Sequence, residues 1–167
     1  MKTQMEYEEN KMLVTNTSFT IDRILPASKE KVFAAWANPE SKRRWFSCHD
    51  DWETVEFSLD FKVGGKESNL VITPSGSRHV FDATYYDIIP NERIVYAFGM
   101  YMNDIRVSVS LVTVIFDSLI EGRTKMSFTE QIVLLGGISN EGVQKIEIEG
   151  RIEGTNAGFD RLVKELS

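Results

Sequence analysis

The chain has 167 residues, enough for one well-cored domain and short for two. Its formal net charge of -6 and pI of about 5.0 leave no basic field to draw in phosphates, which excludes nucleic acid and anionic membrane surfaces as expected partners. Several features point to a soluble, cytoplasmic protein: no apolar run long enough to span a membrane, no apolar centre in MKTQMEYEENK to make a secretory signal, and one cysteine, Cys48, that can form no internal disulfide.

Residues 1–14 read as a polar tail and 15–167 as a single domain. The first strand is expected over about Asn16 to Leu25, with Phe19, Ile21 and Ile24 or Leu25 as its apolar positions. Pro26 stops it, because proline cannot donate to a sheet ladder. Ser28 suits the N-cap of a short helix, SKEKVFAAWAN, whose buried stripe is Val32, Phe33 and Trp36. Asn38-Pro39 breaks that helix and starts another, PESKRRWF, since proline is preorganised for a first helical position. Lys42, Arg43 and Arg44 read as its wet face, with an anion site as the alternative. Trp45 and Phe46 end it.

ETVEFSLD is an alternating strand with Val55, Phe57 and Leu59 on one side. Gly64-Gly65 marks a turn or bulge before the next strand, and Pro74-Ser75-Gly76 a turn after it. RHVFDATYYDIIP and RIVYAFGM follow, the latter alternating through Ile94, Tyr96, Phe98 and Met100. Ile105 to Phe116 is a long strand whose apolar parity shifts, from Val107, Val109 and Leu111 to Val112, Val114 and Phe116. That shift predicts a bulge or burial on both faces. Thr124 to Leu135 is the last strand, with Met126 and Phe128 on one face. GGISNEG is a glycine-rich loop.

The closing stretch, Glu149 to Ser167, carries Ile152, Thr155, Phe159, Leu162 and Leu166 at steps of three and four, one face of an α-helix. Arg161, Lys164 and Glu165 fall on other faces, toward solvent. Gly150, Gly154 and Gly158 recur every fourth residue, although each interior glycine costs roughly 1 kcal/mol against alanine. The row implies close backbone approach or a frayed helix start near Gly150, or room for a ligand between helix and sheet. The fold expected is α+β: a curved antiparallel sheet of about six to seven strands, two short helices after the first strand, and a long C-terminal helix across the sheet.

The ordered set TIDRILPASKEKVFAAWANPE with Arg44-Trp45-Phe46, DFKVGGKE, YYDIIPNERIV, Val112-Thr113-Val114, and finally SFTEQ with RIEGTNAGFDRLVKEL resembles the START-like superfamily SRPBCC, the helix-grip fold. Within it, the chain is similar to the activator of heat-shock-protein-ninety ATPase family, over about Thr20 to Leu166. It departs in having Asp82-Ala83-Thr84 where relatives often have glycine before the aromatic of the YYDI strand. The resemblance implies a deep apolar cavity between sheet and helix, which relatives use for lipids, sterols, polyketides or plant hormones. In the eukaryotic proteins that gave the family its name, this fold stands beside a second domain that this sequence lacks, so chaperone activation is not the leading expectation.

The residues expected at that cavity are Phe33, Trp36, Trp45, Phe46, Phe57, Phe61, Tyr85, Phe98, Met100, Phe128, Glu130, Gly154, Gly158 and Phe159. Glu130 shares the parity of Met126 and Phe128; it either sits at an exposed strand end or faces in, where a carboxylate implies a partner or a polar ligand group. Arg106 faces either solvent or the cavity. Metal binding is not expected, because the two histidines, His49 and His79, lie in separate segments, and the cluster Cys48-His49-Asp50-Asp51 consists of adjacent loop residues. Cys48 reads as an ordinary thiol, no catalytic residue is assigned, and no cofactor is expected.

The leading expectation is therefore a binding module for an apolar small molecule. One alternative is a cyclase or hydrolase in the same cavity, with Glu130, Arg106, His49 or a tyrosine as acid–base group. Another is a chaperone-associated or stress-response interaction protein, or a homodimer, using the tail and an edge strand.

Overall fold

The computed structural model describes residues 14–46, 49–135 and 141–167, with backbone alone for 141–146. The expectations for the tail up to residue 13, for Cys48 and for the glycine-rich loop over 136–140 lie outside the described residues. In chain order the elements are β1 (Val14–Leu25), α1 (Lys29–Ala37), α2 (Pro39–Trp45), β2 (Glu53–Leu59), β3 (Lys66–Ile72), β4 (Arg78–Ile89), β5 (Arg93–Met102), β6 (Ile105–Ser118), β7 (Thr124–Leu135) and α3 (Glu141–Glu165). The seven strands make one antiparallel sheet in the order β1-β7-β6-β5-β4-β3-β2, so β1 and β2 are its edges.

Ser28 caps α1 as expected, and Asn38, expected only to break that helix ahead of Pro39, caps α2 as well. Ser28 Oγ accepts from the Lys31 amide at 3.3 Å, and Asn38 Oδ1 accepts from the Ser41 amide at 3.0 Å, each satisfying a first-turn donor. Helix α3 begins earlier than its apolar spacing suggests, running 25 residues from Glu141 and passing through Gly150 without ending. The Ile146-Glu147-Ile148 alternation before it has no helical period, which is why the start was not readable. Gly154 and Gly158 are buried, whereas Gly150 is exposed.

Two strands depart from the expected parity. A bulge between Thr54 and Glu56 in the β2–β3 pairing turns Val55 outward to 47% exposure, away from the half-buried Phe57 and Leu59. In β6 the register shifts against β5 between Met100 and Tyr101, so Met100 pairs with Ser108 and Tyr101 with Arg106. From Ser108 onward one parity is buried throughout: Ser108, Ser110, Val112, Val114 and Phe116. Val109 and Leu111 face outward and are exposed. The apparent parity shift is therefore a change from serine to apolar residues along one buried face.

The core lies between the inner face of the sheet and the three helices. Under the C-terminal half of α3 it is aromatic. The ring centroids of Trp36 and Trp45 are 4.9 Å apart, those of Phe128 and Phe159 5.3 Å, and those of Trp45 and Phe159 6.3 Å. This half of α3 is also latched by charge. Arg44 and Ser41 of α2 bond Glu165, Arg161 donates to the Trp45 carbonyl at 3.2 Å and to Asp50 at 2.7 Å, and Arg23 of β1 reaches Asn156 and Asp160. Arg161 and Glu165 thus serve as contacts between elements, not as the solvent-facing residues expected; only Lys164 of that trio is exposed. Phe159→Ala removes the ring shared by both tryptophans and Phe128. It should cost about 3–5 kcal/mol, read as a lowered denaturant midpoint at unchanged slope.

Candidate functional site

Antiparallel register stacks the inward side chains into rows across the sheet. One row runs Phe19, Glu130, Val112, Tyr96 and Tyr85; the next runs Thr17, Ile132, Ser110, Phe98, Ala83 and Glu67; a third runs Leu134, Ser108, Met100, Phe81 and Asn69. Five polar members of these rows are buried, Glu130, Ser108, Ser110, Glu67 and Asn69, while Thr17 on the edge strand is half-buried. They gather in two places.

The first place lies beneath the N-terminal half of α3. Arg151 Nη1 donates to Glu130 Oε2 at 2.9 Å and to Ser110 Oγ at 3.4 Å, while Nη2 donates to Ser108 Oγ at 2.7 Å. Ser110 Oγ donates to the same Glu130 oxygen at 2.9 Å, and the guanidinium carbon sits 6.0 Å from the Phe98 ring centre. The Glu130 side chain is 3% exposed and that of Arg151 17%, so the arginine forms the solvent side of the group. Burial pushes the Glu130 carboxyl above its ordinary value, against the opposing pull of Arg151 and Ser110. Beyond this group Ile132 and Leu134 are buried but stand apart from the main core cluster.

The second place is under α2. Lys42 is the residue of its helix that turns fully inward, correcting its expected place on the wet face: the α2 stripe that buries Trp45 and Ser41 also carries Lys42. Its Nζ donates to Glu67 Oε1 at 2.5 Å and to the Tyr85 hydroxyl at 3.0 Å, and Tyr85 in turn donates to Glu67 Oε1 at 2.5 Å. The rings of Phe46, Trp36, Tyr96 and Tyr85 stand 4.5, 5.0, 5.5 and 5.7 Å from the ammonium, an aromatic box around a cation. Both charged side chains have 0% exposure. Burial lowers the Lys42 ammonium from its ordinary value, opposed by Glu67, and raises the Tyr85 hydroxyl. The Gly64-Gly65 turn aligns this group: the Gly64 amide donates to the Tyr85 carbonyl and the Tyr85 amide to the Gly65 carbonyl. A Cβ on Gly65 would stand 2.0 Å from the Asp60 carbonyl oxygen, so only glycine fits. Glu67 Oε2, Asn69 Oδ1 and Trp36 Nε1 are buried without a hydrogen-bond partner among the described residues.

Of the residues expected at a cavity, Phe33, Trp36, Trp45, Tyr85, Phe98, Phe128 and Phe159 belong to the buried core, and Phe46, Phe61 and Met100 pack against it half-buried. Phe57, on edge strand β2, is half-buried and apart from that cluster. Glu130 is inward, one of the two readings that its parity leaves. Arg106 is exposed and donates to the Tyr101 hydroxyl instead. His49 and His79 each pack edge-on against Trp52, at 4.9 and 4.8 Å. An open depression of about 520 Å³ also exists, but on the opposite, outward face of the sheet, along Asn16–Ser18, Val109, Leu111 and Gln131. Among the described residues no helix is long and apolar enough to cross a membrane.

A curved antiparallel sheet gripped by one long C-terminal helix, with two short helices after its first strand, defines the helix-grip class of START-like, SRPBCC domains. The model of the family described as Activator of Hsp90 ATPase homolog 1-like protein matches residues 26–167, and the chain belongs to that family. Solved relatives include an uncharacterised protein from Rhizobium leguminosarum, 42% identical over 92% of this chain and 96% of that one, with a TM-score of 0.81. Another is the Mll3558 protein from Rhizobium loti, 34% identical over 92% and 99%, with a TM-score of 0.79. The fold alone extends to a protein of unknown function from Staphylococcus aureus, 17% identical over 92% and 94%, with a TM-score of 0.73. Among curated proteins none matches.

Removing one partner of a buried ion pair strands the other charge. Lys42→Ala or Glu67→Ala should therefore each cost about 3–5 kcal/mol by denaturant melts, and Lys42→Met with Glu67→Leu together less than the sum. For Glu130 the raised folded value means that its contribution is fullest below the ordinary carboxyl value of 4.5 and is lost as pH rises through the folded value. The stability of the natural protein relative to Glu130→Gln should accordingly fall with rising pH across that window, measured by melts at stepped pH.

Proposed function

We propose that this domain binds a small, predominantly apolar molecule between the inner face of the sheet and the N-terminal half of α3. The observation that carries the reading is the buried group of Glu130, Ser108, Ser110 and Arg151, set between the aromatic core on one side and Ile132 and Leu134 on the other. Polar groups placed in an apolar wall are what orients a ligand in a pocket of this kind. Burying four of them offers a folding chain little, since a buried ion pair is often no better than apolar residues of the same volume. The C-terminal half of the seam is occupied by Trp36, Trp45, Phe128 and Phe159, so the ligand belongs at the other half. Membership of the family supports the same reading, because a helix-grip domain holds its ligand between helix and sheet.

Binding here needs no chemistry. Arg106 and His49 lie outside the polar group; among the described residues Glu130 is bonded by Arg151, and Tyr96, whose hydroxyl burial and the two carboxylates push upward, is held in its neutral form. A thermal-shift panel of lipids, polyketides and aromatic acids tests the proposal. A true ligand at a hundredfold excess over its Kd should stabilise by about 2.7 kcal/mol and saturate. Absence of any saturable shift across the panel would count against binding.

A further inference from the structure

Resting on that reading, we infer that the ligand carries a carboxyl group, and that Arg151 receives it through the Nε edge of its guanidinium. The geometry points there in steps. A guanidinium has two edges on which a planar acceptor can dock with two parallel bonds. The bonds to Glu130 and Ser110 use Nη1, and the bond to Ser108 uses Nη2. Among the described residues no acceptor engages Nε, so the edge formed by Nε and the remaining Nη2 hydrogen is left for another partner. The plane of the group is held by three oxygens on two strands, which orients that edge before anything binds.

The class of partner follows from charge. A phosphate would bring nearly two negative charges beside a Glu130 side chain that is only 3% exposed. A hydroxyl or a single carbonyl uses half of the fork. A carboxyl group matches the fork and carries one charge at most, which the guanidinium can offset beside a Glu130 whose own carboxyl is already displaced toward the protonated form by burial. The rest of the molecule then lies on Phe98 and Met100 from β5 and on Ile132 and Leu134 from β7, all apolar and neighbours in register to the two serines. The ligand is thus a monocarboxylic acid with an aliphatic or aromatic body.

The experiment compares matched probes on the full chain: decanoic acid with methyl decanoate and decanol, and phenylbutyric acid with phenylbutanol, by calorimetric titration. The acids should bind at least tenfold more tightly than their alcohols and ester. Arg151→Gln should erase that preference, leaving each acid and its matched alcohol with the same affinity. Arg151→Lys, which keeps the charge and loses the fork, should erase most of it. Equal binding of acid and alcohol by the natural protein would overturn the carboxyl assignment and leave the binding reading standing. A preference that survives in Arg151→Lys would overturn the role of the fork. No binding by any probe, acid or neutral, would overturn both this inference and the proposal on which it rests.

Discussion

One sheet has to be covered by one long helix, and the helix is attached unevenly. A 25-residue helix is about 37 Å long, longer than the aromatic patch that it seals. Its C-terminal half is fixed by Phe159 and Leu162 in the core and by four charged or polar latches to α2 and β1. In its N-terminal half Arg151 reaches across to two strands, and Ile152 packs against the core. Where a helix packs directly, ridges of side chains exclude everything else. Around Arg151 the inner face carries a carboxylate and two serines in place of rings.

The two buried charge groups do related jobs in different settings. Lys42, Glu67 and Tyr85 bind α2 to β3 and β4 under four aromatic rings, with no exposure at either charge. Arg151, Glu130 and the serines bind α3 to β6 and β7 at the solvent boundary. Tyr96 stands in the row that joins them, fully inside, and its hydroxyl is pushed upward first by burial and then by both carboxylates. The inner face therefore has a polar seam at each flank and an aromatic filling between, and only one of those seams reaches the surface.

Much of this was legible in the chain and some was not. The strands and the stripe of α3 follow from periods of two and three to four, which depend only on local geometry, and the Ser28 cap from residue type; parity left the inward turn of Glu130 as one of two readings. Lys42 was not readable, because Ser41 to Arg44 looks like any wet helical face; which basic residue turns inward depends on what the helix packs against. Glu67 and Asn69 sit at inward positions of β3 that alternation alone would assign to Val71-like residues. Arg151 did leave a signal: four residues before Thr155 and eight before Phe159, it lies on the apolar stripe. A cation there must meet an anion. The apparent change of parity in β6 was likewise a trace of the site, since the serines stand where apolar residues would otherwise face in.

The pairing of β1 with β7 joins Val14 to Leu135, and Leu25 to Thr124, so the first strand made on the ribosome waits for nearly the last. Until β7 emerges, β1 has no neighbour, and Phe19, Ile21 and Leu25 have no sheet to enter. Contacts this far apart in sequence must close large loops before they are rewarded, which slows folding and prolongs the exposure of open strand edges. Completion of the domain is in this sense a late and nearly simultaneous event: the strand that carries Glu130 is also the one that closes the sheet, and the helix that carries Arg151 follows it out.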